Sequence, residues 1–162
     1  MKTAVAFAIM LGVVRGQNLT SAEQRYFTSV RRNLEASADA MPAEKYDFKL
    51  TPGQMSFGEW LIHSAQRNYA DCAALKGETA PGFGTPSSKA DVSKVLKDSF
   101  AYCAQVIEHP DEAKILASPQ LSYSFLHVVV HNNEIYGNIV GYMRASGIVP
   151  PSTAGRGAQT KK

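Results

Sequence analysis

The stretch from Phe125 to Pro151, FLHVVVHNNEIYGNIVGYMRASGIVPP, decides the fold. At about 100° per residue, the helical period, His127, Glu134, Asn138 and His131 fall within roughly a 60° arc. Phe125, Val128, Val129, Tyr136, Ile139, Val140 and Met143 occupy the other side. The segment reads as a mostly apolar helix carrying one narrow polar line. Gly147 suits its C-terminal cap, and Pro150-Pro151 prevents its continuation. Two imidazoles, a carboxylate and an amide on one face read either as half of a metal site or as a wet seam between helices.

Working outward from this helix, about Tyr123 to Ser146, three others precede it. The first runs from about Ser21 to Ala40, with Thr20 and Glu23 as a capping-box pair and Tyr26, Val30 and Leu34 along one face. The second opens with another such pair, Ser56 and Glu59, and runs to about Lys76 before Gly77. GETAPGFGTPSS is a Gly/Pro-rich connection. The third helix spans roughly Lys89 to Glu108, with an irregular stretch after it. No segment shows strand alternation. Four amphipathic helices of about 20 residues predict an all-α four-helix bundle. Trp60, Tyr26, Phe57 and Phe100 are expected in its core, and Arg31-Arg32 on a solvated face. Tyr136 and Tyr142 are expected to pack with their hydroxyls satisfied.

The ends differ from the body. Lys2 precedes an apolar run from Ala4 to Val14, the length of a secretory signal core and too short to span a bilayer. Residues 1–17 are therefore expected to be a signal peptide, 18–150 the bundle and 151–162 a disordered tail. An exported protein, periplasmic or secreted, follows, with no membrane span in the mature chain. In an oxidising compartment Cys72 and Cys103 either form a disulfide, stabilising the fold by roughly 3–4 kcal/mol, or remain buried thiols. The net charge is only +3, and no basic stripe carries interleaved aromatics, which leaves nucleic-acid binding unsupported.

Imidazole is the usual ligand of zinc and nickel, and the chain has four histidines. His109 precedes a proline at a helix end and reads as a loop residue. His63 lies at the edge of the second helix, away from the stripe of Phe57, Leu61, Ala65, Tyr69 and Cys72. His127 and His131 are spaced i, i+4, so both can point to one side.

HNNEIYGNIVGYMRASGIVPPS resembles the last helix of the DinB/YfiT-like superfamily of four-helix metalloproteins. SFGEWLIHSAQRNYADCAALKG is similar to that family's second helix, and KADVSKVLKDSFAYC to its third. The resemblance covers nearly everything after residue 20 and is nearest to an exported branch. It implies a divalent metal, often zinc or nickel, held by one histidine of the second helix and two of the fourth, four residues apart. His63 and His131 match two of these positions. The remaining one, counted from Tyr136-Gly137-Asn138, falls on Ile135, which cannot bind metal. Three readings stay open: His127 replaces the lost ligand, Glu134 replaces it, or the polar line is structural. Asn133 and Asn138 are candidates to orient ligands or a bound group.

The functional expectation is an exported, divalent-metal-dependent enzyme of transferase or hydrolase type acting on an unidentified small molecule. Thiol-dependent transferases and isomerases occur among the relatives, but an exported chain is poorly placed to meet a cytosolic thiol. The alternative is a metal-free bundle binding a small ligand or partner through its polar seam. A homodimer is left open.

Overall fold

The computed structural model describes residues 19–157, so the expected signal peptide and residues 158–162 lie outside the described residues. The described chain is all-helical, with α1 Leu19–Ala40, α2 Phe57–Lys76, α3 Lys89–Glu108, α4 Glu112–Leu116, α5 Pro119–Ala145 and α6 Pro151–Gly157. A 3-10 turn, Ala43–Lys45, follows α1.

Local chemistry sets the helix starts. At α2, the Ser56 side chain accepts from Glu59 N while Ser56 N donates to the Glu59 carboxylate. Ser88 and Asp91 form the same reciprocal pair at α3. Each such cap contributes about 1 kcal/mol by satisfying end donors that the helix itself cannot. α2 stops at Gly77, whose φ of 75° is left-handed and costs glycine nothing. Ser118 caps α5, and Pro119 occupies its first turn, where a missing N–H is harmless.

Cross-helix pairs fix the topology. Gln24 reaches the Ile107 carbonyl, Phe27 meets Phe100, and Asp39 pairs with Lys97, so α1 and α3 are antiparallel. Asn68 bonds Ser99, Cys72 is joined to Cys103, and Lys76 bonds Gln105, so α2 and α3 run parallel. The long Gly/Pro-rich connection makes this parallel return feasible. Trp60 with Tyr142, Ser64 with Asn132 and Asp71 with His127 make α5 antiparallel to α2. Four long helices thus run up, down, down and up around one core. Phe27, Val30 and Leu34 of α1, Phe57 and Leu61 of α2, Leu96 and Phe100 of α3, and Phe125, Val128 and Ile139 of α5 fill it. Burying each such side chain contributes roughly 1.5–3 kcal/mol. No helix among the described residues is long and apolar enough to cross a membrane.

The segment between α1 and α2 closes one end of the core. Tyr46 donates its hydroxyl to the Ala38 carbonyl, and its ring lies edge-on to Phe57. Gly58 is needed beneath it, because a Cβ there would sit 3.2 Å from the Tyr46 ring. Tyr142 is fully buried and its hydroxyl accepts from Trp60 Nε1 and donates to the Met55 carbonyl.

Four expectations need correction. Tyr26 is 63% exposed, because Phe27 takes the inward position in α1. Trp60 is only half-buried, its indole N–H serving Tyr142 at the bundle's edge. Thr20 does not cap the first helix: α1 already begins at Leu19, and the Thr20 hydroxyl donates to Glu112 instead. The tail expected to lack structure is helical over Pro151–Gly157, because the Tyr136 hydroxyl anchors both Ser152 N and the Ser152 side chain.

The candidate histidine site

Antiparallel packing of α2 on α5 brings His63 and His131 together, with their Nε2 atoms 3.0 Å apart. The rings stand nearly perpendicular, at 81°. Along α5, Tyr123, His127 and His131 recur every four residues, so one face stacks them. The His127 ring lies 4.8 Å from that of His131 at 12°, and Tyr123 lies 4.9 Å from His127 at 20°. Trp60 meets His63 edge-on from one turn below.

Carboxylates stand behind two of the three imidazoles. His127 Nδ1 is 2.8 Å from the buried Asp71 carboxylate, which also accepts from Arg67 at 3.1 Å. His131 Nδ1 is 3.2 Å from Glu134. A carboxylate at Nδ1 keeps the proton on that nitrogen and the lone pair on Nε2, the tautomer required of an Nε2 metal ligand. Burial lowers the pKa of His63 below the ordinary imidazole value, and the neighbouring His131 and Arg67 lower it further. Both effects favour the neutral form of the His63 imidazole.

Two nitrogens bound to zinc at 2.0–2.1 Å lie about 2.9–3.4 Å apart when they subtend roughly 90–110° at the metal. The His63–His131 separation matches the narrow end of that range. The remaining expected ligands are placed differently. Glu134 lies at Nδ1 of His131, on the far side of that ring from the Nε2 pair. His127 has committed Nδ1 to Asp71, so only Nε2 is left for a ligand role. Among the described residues no three His, Cys, Asp or Glu side chains converge on one point. Ile135, at the vacant family position, is 1% exposed and belongs to the core. The residues present thus fit two positions of a metal centre, with carboxylate support, and leave the third to His127 or to a non-protein group.

Asn133 and Asn138 do not touch the histidines. Each is exposed and donates to a carbonyl one turn earlier in α5, Val129 and Glu134 respectively. His109 is an exposed C-cap of α3, as the sequence suggests. The residues that sequence reasoning missed are polar ones on the apolar face of α2. Asp71 and Arg67 hold His127. Beneath them Ser64 donates to Asn132, Asn132 donates to Asn68, and Asn68 donates to Ser99, all four buried. The one available signal was the recurrence of Ser64, Asn68 and Asp71 at three- and four-residue spacing on a helix whose other inward positions are apolar.

Cys72 and Cys103 form a disulfide, with both residues fully buried and Cα atoms 5.3 Å apart. It ties the parallel pair α2 and α3 directly behind Asn68 and Asp71, on the side of α2 away from His63.

No family model, curated protein or solved structure matches this chain.

Proposed function

We propose that the chain is an exported four-helix bundle of the DinB/YfiT-like type whose His63–His131 pair binds a divalent metal, zinc or nickel. The observation that carries this reading is the 3.0 Å approach of two Nε2 atoms, one from each of two antiparallel helices. His63 and His131 would hold the metal, and Glu134 would fix the ring of His131 from behind. Asp71 would do the same for His127, the nearest candidate for a third ligand. A metal held by so few protein ligands keeps open positions for water or substrate, where it supplies Lewis acidity or an activated water. The chain's own contribution is orientation. Neutral His63, a carboxylate-held His131 and a His127 backed by the Asp71–Arg67 ion pair would present preset donors to a small molecule in a transferase or hydrolase type of reaction.

A specific observation favours the metal-free alternative. Each of the three histidines already has a side-chain partner: His63 with His131, His131 with Glu134, and His127 with Asp71. On that reading the polar line binds a ligand or partner without metal.

Elemental analysis separates the two. The protein is purified without a polyhistidine tag and dialysed against trace zinc and nickel. Near one metal per chain, lost in both His63→Ala and His131→Ala, supports the metal centre. A stoichiometry near zero, or one unchanged by His131→Ala, overturns it.

A further inference from the structure

A second place in the molecule has the features of a ligand site. Glu23 of α1 is 6% exposed, and its Oε1 finds no hydrogen-bond partner among the described residues. It lies in the wall of a groove of about 580 Å³ between α1 and α5, a volume in the range of small-molecule sites. Tyr26, Val129 and Val130 give the groove an apolar surface, and Glu134 stands in its lining with Asn133. Tyr26 and Val130 are 63% and 54% exposed, so the apolar surface is open from outside.

We propose that this groove binds an aliphatic amine, with the hydrocarbon chain on Tyr26, Val129 and Val130 and the ammonium paired with the Glu23 carboxyl. A buried carboxyl oxygen without a partner costs free energy that a ligand donor recovers, and an ionised donor recovers most. The charges in the lining select the sign. Its two titratable carboxyl groups, Glu23 and Glu134, repel a fatty acid, and its described residues include no cation to attract one. Burial pushes the Glu23 pKa up to about 7, as expected for a carboxyl taken out of water. The site is separate from the histidine pair, although Glu134 borders both.

The test is calorimetric titration of the full chain at pH 7 with hexylamine, hexanol and hexanoate. Hexylamine should bind saturably at one site, hexanol at least tenfold more weakly, and hexanoate not at all. Glu23→Gln keeps the shape but cannot ionise, and should lose at least tenfold in hexylamine affinity. Val130→Lys, at an exposed position, should abolish hexylamine binding while leaving the far-UV circular dichroism unchanged. It therefore decides the matter even if the Glu23 variant fails to fold. Absence of hexylamine binding, equal affinity for hexanol, or an unaffected Val130→Lys variant overturns the proposal.

Discussion

Glu23 also makes the stability of the protein depend on pH in a direction that can be worked out beforehand. Burial raises its pKa from 4.5 to about 7, so between those values the folded chain holds a proton that the unfolded chain has released. Stability from the protonated carboxyl is fully present below about 4.5 and is lost as pH rises through about 7. At about 1.4 kcal/mol for each pH unit, the full loss is on the order of 3 kcal/mol. His63 acts in the opposite sense. Its folded pKa is lowered, so its contribution is complete above the unfolded value of 6.5 and is lost as pH falls through the lower folded value. The wild-type profile mixes these two slopes, and Glu23→Gln separates them, because glutamine does not titrate while His63 is untouched. The stability of Glu23→Gln relative to wild type should therefore grow by about 2–3 kcal/mol from pH 5 to pH 8. Urea unfolding at unit pH intervals, followed by circular dichroism, measures it, provided the m-value stays constant. Parallel profiles for the two proteins would refute the reasoning, since they would mean Glu23 ionises as easily folded as unfolded.

Two further perturbations probe the interior. Asn132→Ala removes the donor to Asn68, the acceptor of the Ser64 hydroxyl and a bond to the Val128 carbonyl, and strands a buried amide oxygen on Asn68. It should destabilise by about 2–4 kcal/mol in urea unfolding; a loss below about 1 kcal/mol would mean water or a neighbour replaces the amide. Replacing both Cys72 and Cys103 by alanine opens a cross-link of sequence separation 31, which in the chain-entropy model should cost about 3–4 kcal/mol. Unfolding midpoints of the variant and of the oxidised parent check it, and an unchanged midpoint would show that core packing alone holds α2 on α3.

The helices were legible where the signal is local. The Ser56/Glu59 pair and Gly77 delimit α2, and the α3 bounds, Lys89–Glu108, coincide with those read from the sequence. Thr20 and Glu23 show the limit of such signals. The same spacing of residue types opens no helix there, because the helix has already begun and Glu23 points inward. The short helix at Pro151–Gly157 has too few residues to show a period, and what fixes it, the Tyr136 hydroxyl, lies 16 residues away in sequence. The candidate site divides in the same way. The i, i+4 spacing of His127 and His131 was visible on one helix. Which imidazole meets His63, and that Asp71 stands behind His127, depends on how α2 and α5 slide along each other, which no single-helix pattern records.

That sliding position is itself set by the buried amides. Asn132 lies next to His131 in α5, and Ser64 lies next to His63 in α2; the two pairs meet at the same level, one inside the core and one at its edge. A shift of α5 by one residue would move it about 1.5 Å and turn it by about 100°, which breaks the Ser64–Asn132–Asn68 chain among residues that are all buried. The same shift would separate the two Nε2 atoms. The amide chain therefore excludes the neighbouring registers, and the histidine geometry is held by residues that never touch it. A polar core of this kind adds little net stability for its hydrogen bonds. What it adds is one defined register, the one in which the Nε2 atoms of His63 and His131 lie 3.0 Å apart.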